Sequence, residues 1–186
     1  MFTKVPDKIL KIIDDIGTQG SVPLTRLTVL KKWFERPARL PAFGLWIARK
    51  ASNRTRETTT PAGDLLNETH ALLGTAELPI EQIDRAAVMD LHRRARVIHS
   101  DYVKHHWGPV RVIHCWPLLL VEEGLALYIG SASLPTDGYK LAADWAQNYD
   151  PKYGNGLNGP SQDKLHELMR YIVSVEAMDV FGETAA

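Results

Sequence analysis

Along most of this chain the apolar residues recur at steps of three and four, the period of a helix that buries one face. The clearest run is Ile80, Ile83, Ala87, Leu91, Ala95, Ile98 and Tyr102. It predicts one helix over 79–106, about seven turns long, which is enough to serve as the central spine of a bundle. Gly108-Pro109 ends it. Upstream, Pro6-Asp7 opens a helix with Ile9, Leu10, Ile12, Ile13 and Ile16 on its apolar face, stopped by Gly17 and Gly20. A second helix runs from Pro23 to about Arg36 on Leu24, Leu27, Leu30, Trp33 and Phe34, until Pro37 breaks it. Pro41 starts a third, through Phe43, Leu45, Trp46, Ile47 and Ala51. A fourth spans Pro61 to Leu73, with Gly74 as its stop. Beyond the turn at Pro135–Gly138, Leu141, Ala142, Trp145 and Ala146 mark another helix. Leu165, Leu168, Met169, Ile172 and Val175 mark a last one over 161–179, followed by a frayed tail.

One stretch resists its period. Val110, Val112 and Ile113 alternate as in a strand. Leu118–Val121, Glu122-Glu123-Gly124 and Leu125–Ile129 fit either a hairpin turning at the Glu-Glu-Gly or a helix starting at Pro117. Leu, Ala and Glu favour the helix and Gly124 weakens it; the balance leans to helix. The expected fold class is therefore all-α: a single helical bundle-like domain of seven to eight helices, with a small hairpin at 110–129 as the alternative.

Composition adds little until charge is followed along the chain. The 186 residues are 45% apolar and 24% charged, ordinary globular values. One cysteine, Cys115, excludes an internal disulfide and a multi-cysteine zinc site. Met1 to Asp7 lacks the apolar stretch of a secretory leader, and the apolar run near 112–121 is too short to span a bilayer, so a cytoplasmic location is the expectation. The formal net charge is zero. Residues 1–56, however, hold 12 Lys/Arg against 4 acids, a balance of +8, and the remainder holds 10 against 18, a balance of −8. The chain thus reads as a basic helical lobe, 1–56, and a helical bundle core, 57–186, together one domain. Such a split suggests a polyanionic partner or two halves that pair with each other.

Several motifs invite chemistry. His92, His99 and His106 follow at heptad spacing, but seven helical residues rise about 10.5 Å, too far for two imidazoles to share one ion. A metal site would need convergence from several helices, for which His99, Asp101, His105 and His166 are the candidates. Histidines at a helix boundary that bond neighbouring carboxylates are the commoner arrangement. Cys115 sits among Val112, Ile113, Trp116 and Leu118, the surroundings of an inert core thiol, and adjacent His114 points elsewhere. Gly154-Asn155-Gly156-Leu157-Asn158-Gly159 has the spacing of a dinucleotide fingerprint but follows no strand and precedes Pro160. Tyr149, Tyr153, Asn155 and Asn158 of that loop are candidate ligand contacts.

The basic lobe carries most weight. Arg36, Arg39, Arg49, Lys50, Arg54 and Arg56 cluster near Trp33 and Trp46 and are the candidate partner-binding residues. A helix-turn-helix over Lys8 to Phe34 lacks the polar face that base readout needs. The expected function is a non-enzymatic binding or adaptor protein whose basic face engages an acidic protein surface, a second copy in a homodimer, or nucleic acid without sequence preference. A small metal-binding protein or enzyme with a His/Asp centre, and a DNA-binding regulator, are the alternatives. No cofactor is expected, and no membrane.

Overall fold

In a computed structural model, the described residues are 31–34, 36–53, 60–74, 82–105, 109–130, 138–149, 157–160, 164–165, 167–172 and 174–175. The fold is all-α. Six helices have defined bounds: α1 (Lys31–Phe34), α2 (Leu40–Ser52), α3 (Pro61–Leu73), α4 (Arg85–His105), α5 (Pro109–Ile129) and α6 (Gly138–Ala146). Residues 164–165, 167–172 and 174–175 are also helical and form a C-terminal segment. Six is fewer than the expected seven to eight; the predicted helix after Pro6 lies outside the described residues, and α1 is the described end of the one after Pro23. The loop after α6 contributes a short antiparallel pair, β1 (Gln147–Tyr149) with β2 (Leu157–Pro160), in which Gln147 faces Pro160 and Tyr149 faces Leu157.

Local chemistry sets the boundaries. The Thr60 hydroxyl accepts from the Gly63 N–H at 3.2 Å, and Pro61 fills the first position of α3, where its missing N–H costs nothing. Gly74 closes that helix by donating to the His70 carbonyl. The long helix begins at Arg85 rather than Pro79 because Asp84 caps it: its carboxylate accepts from the Ala86 and Ala87 N–H groups at 2.9 and 3.3 Å. Gly130 follows α5 with φ +69°, the left-handed closing conformation that a glycine takes without strain. Residues 110–129 form helix, not hairpin, and the helix runs through Pro117.

The core sits where α2 crosses α5, the most extensively packed pair of elements. Phe43, Gly44, Leu45, Ile47, Ala48, Ala51 and Ser52 of α2 are all buried, so this helix is enclosed on several sides. α5 buries Leu118, Leu120, Val121, Leu125, Leu127 and Tyr128. α4, as long as α5, buries one narrower stripe: Val88, Leu91, Ala95 and Tyr102. The crossing is close because both helices present glycine there. A Cβ on Gly124 would lie 2.5 Å from the Gly44 carbonyl oxygen. The core is continuous across position 57, with Phe43 and Ile47 in one cluster with Leu65, Leu66 and Leu125. Among the described residues no helix is long and apolar enough to cross a membrane.

Candidate functional site

The described residues of the predicted basic set lie at the α1–α2 corner and in the last turn of α2. Arg36 is exposed before Pro37; its N–H donates to the Trp33 carbonyl, and its own carbonyl accepts from the Arg39 N–H at 2.9 Å. That tight turn holds the two arginines three residues apart on one 3₁₀ turn, Pro37–Arg39. Arg39 is half-buried, and its charge reaches Tyr171 of the C-terminal segment. Arg49 and Lys50 lie in the last turn of α2, where cations complement the helix dipole. Lys50 pairs with Glu167, a basic-lobe residue meeting an acidic-half residue across the chain, and its ammonium lies 5.9 Å from the Trp46 ring. Lys50 is therefore committed within the molecule. Arg54 and Arg56 lie outside the described residues.

The same elements carry an aromatic seam. Trp46 stacks on Tyr171 at 4.7 Å and on Phe43 at 6.2 Å, and Phe43 meets Phe34 at 5.0 Å. Trp33 packs edge-on to Phe34 at 5.1 Å and Trp145 edge-on to Trp46 at 5.7 Å. Burial pushes the Tyr171 hydroxyl well above its ordinary value. The seam joins α1, α2, α6 and the C-terminal segment, and so fixes the backbone from which the cations project.

The predicted metal set does not come together in the described part. His99 Nδ1 lies 2.7 Å from Glu122 of α5, while His105 pairs with Asp101 one turn away at 3.0 Å. These are two separate histidine–carboxylate contacts, and among the described residues no three His, Cys, Asp or Glu converge as a metal site. His166 lies outside the described residues, as do Tyr153 and Asn155 of the loop set. Tyr149 and Asn158 stand on the paired strands β1 and β2.

What the sequence did not single out is a polar seam between α4, α5 and α6. Glu122 faces α4, and its neighbour Glu123 faces α6, where Lys140 approaches at 3.7 Å. Burial pushes the Glu123 carboxyl above its ordinary range, with Lys140 opposing and Asp144 and Glu122 adding to the rise. Burial raises Asp144 as well, against Lys140. One oxygen of Glu123 is buried with no hydrogen-bond partner among the described residues. On the α4 side, burial holds His92 below its ordinary value, Glu122 opposes this, and Arg96 adds to it. The available signal was two adjacent carboxylates inside the most apolar run of the chain. A hairpin turn would expose them; a helix inserts them between neighbours.

His92 makes stability depend on pH. Its folded pKa lies below the ordinary 6.5, so the unfolded chain takes up this proton first as pH falls. The contribution is present above 6.5 and is lost as pH falls through the folded value. The drop in Tm between about pH 7.5 and about pH 5.5 is expected to be smaller in His92→Gln than in the wild type. Equal drops would remove His92 from this account.

No protein-family model matches the chain, and it matches no curated protein and no solved structure.

Proposed function

We propose that this chain is a non-enzymatic helical binding or adaptor protein whose basic N-terminal face engages an acidic protein surface. The observation that carries the reading is the Lys50–Glu167 pair. It is a sample of the chemistry this face accepts: a carboxylate presented by a helix, taken beside Trp46 at the end of α2. Exposed Arg36 and half-buried Arg39 and Arg49 extend the same positive surface, and the charge segregation of the sequence supports it. Carboxylate recognition favours a protein partner over a nucleic acid here, and a second copy is one source of such carboxylates.

Labelled poly-L-glutamate tests it. Binding is expected at about 50 mM salt, is expected to weaken several-fold by about 300 mM, and is expected to be lost in the triple variant Arg36→Glu, Arg39→Glu, Arg49→Glu. No binding at the lower salt would count against the proposal. Tighter binding of a labelled duplex would transfer it to nucleic acid, and a mass that rises with concentration in light scattering would point to self-association.

A second reading, an enzyme with a histidine–carboxylate centre, draws on His99. Glu122 takes its Nδ1, which is how a carboxylate orients an imidazole so that Nε2 can act as a base.

A further inference from the structure

We propose that the outward face of α4 is a second docking surface, and that it takes an acidic amphipathic helix from a partner protein. Two independent observations coincide there. The exposed large apolar side chains among the described residues are Met89, Val97 and Val103, at 52, 64 and 36% exposure, and all three stand on this helix. Between them project Arg93, Arg96 and Lys104, all exposed.

At 100° per residue these six positions fall within an arc of about 120°. No Asp or Glu shares that arc. Asp90 and Asp101 lie beyond its Val97 edge, where Asp90 takes Arg93 and Arg94, and Asp101 takes His105. Arg94 is drawn off the face altogether, to Glu68 of α3 at 2.6 Å. Arg96 and Lys104 have no ion-pair partner among the described residues.

This face alternates apolar and basic residues along the helix: Arg93 stands four residues from both Met89 and Val97, and Arg96 and Lys104 adjoin Val97 and Val103. From Met89 to Lys104 it extends about 22 Å, four turns. A facing helix with leucines at matching steps and Glu or Asp on either side would cover the apolar residues and neutralise the cations together. A membrane fits less well, since the apolar part is two valines and one methionine without an aromatic or leucine anchor. A nucleic-acid backbone would use the cations and leave the valines unused.

The test uses the full chain and a fluorescein-labelled 18-residue peptide with leucines at i, i+3, i+4 and i+7 and glutamates elsewhere, read by anisotropy. Saturable binding is expected, weakened at least about tenfold by the double variant Arg96→Glu, Val97→Glu. A scrambled peptide of the same composition, lacking the apolar face, is expected to bind about tenfold more weakly. The milder pair Arg96→Gln, Val97→Ser repeats the comparison if the first variant unfolds. The triple variant at Arg36, Arg39 and Arg49 is expected to keep peptide binding, which separates failure of this surface from failure of the N-terminal one. The proposal is overturned by absence of saturable binding, by equal affinity for the scrambled peptide, or by unchanged affinity in the α4 variants. It is equally overturned if phosphatidylserine vesicles, and not the peptide, are what the α4 variants lose.

Discussion

Replacing Gly124 by alanine is expected to cost at least about 2 kcal/mol of folding stability, although alanine is the better helix former. Two effects oppose each other. Alanine inside a helix gains about 1 kcal/mol over glycine. Against this, the new methyl carbon would lie 2.5 Å from the Gly44 carbonyl oxygen and 3.1 Å from the Ala48 nitrogen. Both obstacles are backbone and cannot rotate away, so α2 and α5 must part. Parting them opens the most heavily packed contact of the fold, and overpacking of this kind costs about 3 kcal/mol. The steric effect wins, and it takes a large share of a total stability of about 5–15 kcal/mol. Gly44→Ala should behave alike, since its Cβ would meet Leu127 Cβ at 2.8 Å as well as the Gly124 carbonyl. The double variant should cost less than the two single losses together, because one separation of the helices relieves both clashes. Urea titration of the three variants, with an unchanged slope, measures this. A Gly124→Ala protein as stable as the wild type would show that the helices do not cross this closely.

The helices were legible because their periods are long and their stops are glycine and proline. The span of α3, Pro61–Leu73, is the predicted one. The start of α4 was misplaced by six residues because the apolar period runs on through Ile80 and Ile83, whereas the helix begins where a carboxylate caps it, at Asp84. A period reports which residues face inward; it does not report where the first N–H groups find acceptors. The relative burial of α4 and α5 was also hidden. α4 has the cleaner amphipathic stripe because one side of it faces water; α5 is apolar nearly all round, and that erases the period.

The polar seam followed from the same ambiguity. Glu122 and Glu123 would have been solvated in a hairpin turn, and nothing in their spacing identifies His99 or Lys140 as partners from other helices. Lys50 shows the opposite limit. It belongs to the basic first 56 residues of the sequence, yet its carboxylate lies 117 residues away, and only the fold brings the two together. Charge counted along a sequence gives the sign of a surface and not which of its cations are already neutralised. In this respect the split between basic and acidic halves includes contact inside the molecule.

Phe43→Ala is expected to be the most damaging single truncation, at about 4 kcal/mol. Phe43 is 0% exposed and lies between Phe34, Trp46 and Tyr171, with ring centroids at 5.0, 6.2 and 5.9 Å. Those rings belong to three different parts of the chain, so a cavity here cannot close by moving one element. The neighbouring Tyr171→Phe should do the reverse. Its hydroxyl is buried with no hydrogen-bond partner among the described residues, so removing it relieves a desolvated group and keeps the ring stack on Trp46. Neutrality or a gain of about 1 kcal/mol is expected. Together the two variants separate packing from polarity in one cluster, by thermal and urea unfolding. They also bear on the proposed basic face, because the stack of Trp46 on Tyr171 lies one turn from both Lys50 and Glu167, which pair. Tyr171→Phe should leave polyglutamate binding unchanged. A Phe43→Ala chain that remains folded should bind more weakly and with a shallower salt dependence, because its cations no longer share a fixed backbone. If Phe43→Ala costs less than about 1 kcal/mol, the aromatic seam is not what positions that face.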